Sequence, residues 1–183
     1  MNKTAIISGG SQGIGKALVK KFLSEGFTVF TCSRTGEKLR DLETEFNSPL
    51  LHTFVADLSD KKQCQDFAGW LLGQTKTIDV LINNAGFFMP GQIQNEEDGV
   101  LERQIEANLY SAYHLTRAIL PTLQTQKSGH IFTICSTNQE IISCIAMIVW
   151  FDCNFVFSII TSVYLCFSDL TSPLLSVLVH EVW

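Results

Sequence analysis

The chain has 183 residues and a net charge of -5, a length that suits one domain able to bury its own core. An acidic balance excludes the basic stripe expected of a nucleic-acid binder. All 13 Lys and Arg and 14 of the 18 acids precede residue 140, whereas residues 140–183 hold the other 4 acids and no Lys or Arg.

That break predicts two regions, 1–139 and 140–183, because soluble domains seldom lose every basic residue over such a length. Six cysteines stand at 32, 64, 135, 144, 153 and 166. None forms a Cys-x-x-Cys pair and no histidine cluster has metal spacing, so no metal is expected and the thiols read as free in a reducing cytoplasm. The opening run Ala5-Ile6-Ile7 meets a Ser-Gly-Gly turn, too soon for the apolar core of a signal peptide.

In chain order, Thr4–Ser8 is an apolar run closed by glycines and predicts a buried strand. Residues 14–25 place apolar side chains at 14, 17, 18, 19, 22 and 23, one face of a helix, and Gly26 closes it. Residues 27–32 predict a second strand. Residues 38–46 predict a second helix, broken by Asn47-Ser48-Pro49. A third strand falls at 50–56 and a third helix at 59–72, with Ser59 as its N-cap. The fourth strand is 78–82, a long helical stretch covers 100–124 with Pro121 near its end, and His130–Cys135 is the fifth strand. Strands alternating with helices imply an α/β fold, a doubly wound parallel sheet covered on both faces.

The first chemical motif is Gly9-Gly10-Ser11-Gln12-Gly13-Ile14-Gly15, between the first strand and the first helix. Glycines there let the backbone turn tightly and approach a pyrophosphate, and the helix N-terminus offers N–H groups to the anion. The second motif ends strand two. An acid about 20 positions on would bind a ribose 2′-hydroxyl and select NAD. This chain has Ser33 and Arg34 instead, a hydroxyl and a guanidinium suited to the 2′-phosphate of NADP(H).

These residues make the chain similar to the short-chain dehydrogenase/reductase family, from residue 4 to about 138. Ser8-Gly9-x-x-x-Gly13-Ile14-Gly15, with Ser11 inside it, resembles the family's cofactor loop. Asp57 matches the Asp that contacts the adenine ring. Asn83-Asn84-Ala85-Gly86 matches the motif that stabilises the central sheet and lines the cofactor cleft. Asn108 matches the catalytic Asn of the long helix, and Ser136 matches the Ser that orients the substrate carbonyl. Taken singly, Asp57 reads equally well as a helix-capping acid, Asn83 and Asn84 as turn residues, Asn108 as an exposed helix Asn and Ser136 as a strand-end Ser; the order and context join them. The resemblance implies a Rossmann-like fold and an oxidoreductase that prefers NADP(H) over NAD(H). It also implies a small carbonyl or alcohol substrate in intact relatives. It leaves the oligomeric state open, because relatives pair through the long helix and the next.

Beyond Ser136 the resemblance stops. The family's chemistry needs a Tyr and a Lys four residues apart about a dozen positions later, where this chain has Val149 and Cys153. The only Tyr after Ser136 is Tyr164, and no Lys or Arg follows Lys127. The chain therefore reads as the family's front part, truncated after strand five and impaired as a catalyst, followed by an aberrant apolar tail. Residues 141–167 contain 14 Ile, Val, Leu and Phe with Asp152 as the sole charge. That is long enough to span a bilayer, so membrane association through 141–167 is one expectation, and a buried core segment is another. A frameshift, an alternative exon, read-through or a true anchor would each produce such a tail. A non-catalytic nucleotide- or partner-binding protein, or a non-functional product, are the rival functions.

Overall fold

A computed structural model of the chain describes residues 3–135 and 159–164. Strands β1 (Thr4–Ser8), β2 (Thr28–Ser33), β3 (Leu51–Val55), β4 (Val80–Asn83), β5 (His130–Cys135) and β6 (Ile159–Tyr164) form one sheet in the order β3-β2-β1-β4-β5-β6. Every pairing is parallel. Helices α1 (Gly13–Ser24), α2 (Gly36–Phe46), α3 (Lys61–Gln74), α4 (Val100–Ile105) and α5 (Ser111–Gln126) complete the order, with a 3-10 turn at Ile93–Asn95 before α4 and a π-helical turn at Glu106–Tyr110 between the last two.

The central strands β1 and β4 are buried along their whole length, with apolar side chains on both faces, because helices cover both. Alternate residues of β1 divide between two cores. Ala5 and Ile7 join Leu18, Val19 and Phe22 of α1 and Leu39 and Leu42 of α2. Ile6 joins Phe67 and Leu71 of α3 and Leu115, Ile119 and Leu123 of α5. Each Val, Leu, Ile or Phe among them, once fully buried, contributes about 1.5–3 kcal/mol. The two cores lock the register of the sheet, since a slip by one residue would exchange the faces.

The five strands expected from the sequence are all present, with ends within two residues. One strand goes beyond that expectation: within the apolar tail, Ile159–Tyr164 runs along β5 with a register shift between Thr133 and Ile134. Of residues 141–167, the rest lies outside the described residues, as does Ser136. Among the described residues, no helix is long and apolar enough to cross a membrane.

Two further differences have local causes. The N-cap of α3 is Asp60, where Ser59 was expected: the Asp60 carboxylate accepts from the N–H groups of Lys62 and Gln63, and Ser59 turns back to donate to Asp57 Oδ1 at 2.7 Å. The long helical stretch is also not uniform, because the π-helical turn interrupts it around Asn108.

Candidate functional site

Strand order reverses between β1 and β4, and a crevice opens at their C-terminal ends, the place where parallel α/β sheets bind ligands. The cleft has a volume of about 400 Å³. Its walls come from the loop before α1, the end of β2 with the start of α2, the turn after β3 and the segment after β4.

The glycine loop is pinned from below. Ser8 is buried; its hydroxyl accepts from the N–H groups of Asn84 (2.9 Å) and Ala85 (2.8 Å). The Asn84 amide donates to the carbonyls of Ser8 and Gly9 at 2.9 and 3.2 Å. Thr31 of β2 donates to Ile7 O (2.7 Å) and accepts from Gly10 N–H (3.1 Å). These bonds hold the loop so close to α1 that a Cβ at Gly15 would lie 2.2 Å from Gly9 O. Gly13 is the reverse case: its φ is +55° and a Cβ there would meet nothing within 4 Å. The N-cap of α1, Gln12, makes no side-chain capping bond, so first-turn N–H groups stay available to an anion. The cradle therefore fits a pyrophosphate on both counts, close backbone approach and free donors.

At the end of β2, Ser11 donates to Ser33 Oγ (2.9 Å), and Thr35 N–H donates to the same oxygen (3.3 Å). The Ser33 hydroxyl proton is then left to donate elsewhere. The Arg34 guanidinium lies 5.9 Å from the Phe87 ring. Across the cleft, Asp57 Oδ1 accepts from the N–H and hydroxyl of Ser59. Asp57 thus closes a turn before α3 but does not cap it. Cys32 reaches the cleft wall, yet burial pushes its thiol up to about 12, so it is no nucleophile.

Most residues expected from the sequence come together here: Gly9, Ser11, Gly13, Ile14, Gly15, Ser33, Arg34, Asp57, Ala85 and Gly86 all line the cleft. Ser8 and Asn83 do not. Ser8 sits beneath the wall, and Asn83 is buried with its amide donating to Thr116 Oγ1 at 3.0 Å, tying β4 to α5. Both support the site through the backbone, and neither offers a polar atom to a ligand. Asn108 is engaged on both amide atoms: Oδ1 accepts from Phe87 N–H (2.7 Å) and Nδ2 donates to Phe87 O (2.8 Å). Its side chain clamps the segment after β4, and Ala107 is the neighbour that reaches the cleft. Gln12 and Asn84, quoted above only as members of their motifs, also line the cleft, and Lys38 and Phe87 line it without having been singled out. Lys38 carried one legible signal, its place four residues beyond Arg34. Among the described residues, no group of three or more His, Cys, Asp or Glu is placed to hold a metal ion.

Comparison with known proteins covers much the same residues. The family described as short chain dehydrogenase matches residues 3–145. An oxidoreductase named BOA17 from Botryotinia fuckeliana is 32% identical over 141 residues, which is 77% of this chain and 52% of that protein. Dehydrogenase/reductase SDR family member 6 of Aquarana catesbeiana is 34% identical over 139 residues, 76% of this chain and 54% of the relative. Among solved structures, a metagenomic short-chain oxidoreductase in complex with NADP is 34% identical with a TM-score of 0.68, covering 73% of this chain and 62% of that one. The chain spans about half the length of the curated relatives it matches.

Proposed function

The chain belongs to the short-chain dehydrogenase family, and from that premise we propose that it binds NADP(H) in the cleft in preference to NAD(H). The observation that carries this is the end of β2. Arg34 and the Ser11–Ser33 hydroxyl pair stand there, in the same cleft as the glycine cradle, and no carboxylate occupies Ser33 or Arg34. A 2′-phosphate would gain charge-assisted hydrogen bonds from them, whereas a bare 2′-hydroxyl would leave the guanidinium unmatched. The gain is on the order of 1.5–3 kcal/mol, roughly tenfold to over a hundredfold in affinity. Titration with NADP+ and NAD+ tests it. Equal affinities, or a preference unchanged in Arg34→Ala, would contradict the assignment.

We further propose that the chain performs little or no carbonyl reduction. When bound, the dinucleotide supplies the hydride, but the substrate oxygen also needs a proton. Ser136 has a hydroxyl that can hydrogen-bond a carbonyl oxygen but cannot act as an acid near neutral pH. Asn108 has both amide atoms committed to Phe87. Counting about a dozen residues on from Ser136 puts the family's Tyr and Lys near Val149 and Cys153, and residues 128–183 hold no Lys or Arg. A positioned general acid contributes about 10²–10⁴-fold, and loss of the Lys also weakens orientation of the nicotinamide ribose. The protein then acts as a nucleotide-binding module. Saturable NADPH binding without turnover is the expected signature.

A further inference from the structure

We propose that Lys38 is a second specificity-determining cation for the 2′-phosphate, tethered beside the cleft by Gln12; this rests on the NADP(H) reading above. Lys38 Nζ donates to Gln12 Oε1 at 2.5 Å, a bond that joins α2 to the N-cap of α1 across the mouth of the cleft. Lys38, Arg34, Ser11 and Ser33 line that one cavity.

Lys38 lies in the first turn of α2, where the helix dipole disfavours a cation. Among the described residues the ion pairs involve Lys16, Lys21 and Lys62; Lys38 and Arg34 have no carboxylate within 4.0 Å, and what sets these two apart is the one cavity that both line. The acid lining the cleft, Asp57, already accepts two bonds from Ser59 on one oxygen. Two cations without counterions, facing one cavity with two hydroxyls between its walls, match a dianion.

The roles divide by shape. The Arg34 guanidinium is a planar fork that can take two phosphate oxygens. The Lys38 ammonium is a point charge on a flexible stem that can take a third. Gln12 is a neutral acceptor, so its bond to the ammonium yields to a phosphate oxygen without leaving a charge unpaired. The Gln12 carbonyl thus holds Lys38 near the mouth before the ligand arrives and releases it afterwards.

The test is calorimetric titration of the full chain with adenosine 2′,5′-bisphosphate and with 5′-AMP, which differ only in the 2′-phosphate. The variants are Lys38→Gln, Lys38→Arg and Arg34→Ala, each checked for an unchanged thermal midpoint. Lys38→Gln is expected to weaken the bisphosphate about tenfold and leave 5′-AMP within about twofold, while Lys38→Arg keeps most of the affinity. If the wild-type chain binds both probes equally, the NADP(H) reading itself fails. If it prefers the bisphosphate and loses that preference in Arg34→Ala but not in Lys38→Gln, the role of Lys38 is overturned and the NADP(H) reading stands. Equal weakening of both probes by Lys38→Gln would mark a general effect on the loop and also overturn it.

Discussion

Gly13 and Gly15 lie two positions apart and tolerate a methyl group very differently. At Gly15 an added Cβ meets the backbone oxygen of Gly9 and the Asn84 amide, at 2.2 and 2.6 Å, and a backbone atom cannot rotate away. Gly15→Ala should cost about 1–3 kcal/mol or more and unseat the loop. Gly13→Ala meets no atom and carries only the left-handed backbone cost, about 1–2 kcal/mol. Thermal unfolding of the two variants checks the order, and a Gly13 variant less stable than the Gly15 variant would contradict it. A second residue-scale prediction concerns the thiols. Burial raises Cys32 to about 12 and Cys64 to about 11. Both should resist alkylation at pH 8 until denaturant is added, read by peptide mapping. Their folded values lie above the unfolded value, so their contribution to stability is complete below about pH 9. It declines as pH rises from there, because the unfolded thiols ionise first. The cradle glycines were legible from their spacing alone. The supporting bonds of Ser8, Asn83 and Asn84 were not, since each joins residues more than 30 positions apart.

At the scale of elements, Asn108 acts as a clamp. Its two bonds to the Phe87 backbone join the π-helical turn to the segment after β4. Asn108→Ala should remove them at a cost of about 1 kcal/mol, since each is exposed and the net value of such a bond is small. Hydrogen exchange at Phe87 should accelerate while the amides of β1 keep their protection; unchanged exchange at Phe87 would show that the clamp carries no weight. The π turn was invisible in the sequence because residues 100–124 keep a continuous helical pattern. What supports the turn is a tertiary bond, which periodicity does not report. The start of α3 was misplaced for a related reason. Ser59 and Asp60 are both good caps, and the choice fell to Asp60 once Ser59 was drawn to Asp57. β6 was hidden in the opposite way. Ile-Ile-Thr-Ser-Val-Tyr has strand composition, but it lies in an apolar run with no clean period to mark its ends.

At the scale of the whole molecule, the tail and the cleft raise separate questions. Residues 159–164 cannot pair with β5 and at the same time lie in a bilayer-spanning helix. Pairing covers an edge that would otherwise expose unpaired backbone groups. Fractionation of 1–183 beside 1–139 separates the two: a longer protein in the soluble fraction fits the paired strand, and one in the membrane fraction fits a spanning segment. A membrane-bound longer protein beside a monodisperse shorter one would reverse that account. The central claim is that this chain holds the dinucleotide site of its family without the means to deliver the proton. The most direct measurement is NADPH oxidation by the purified full chain, already saturated with NADPH, against a panel of ketones, aldehydes and quinones. The account predicts consumption indistinguishable from the protein-free rate. Robust turnover lost in Tyr164→Phe would place the acid at Tyr164, and robust turnover that survives that substitution would contradict the claim outright.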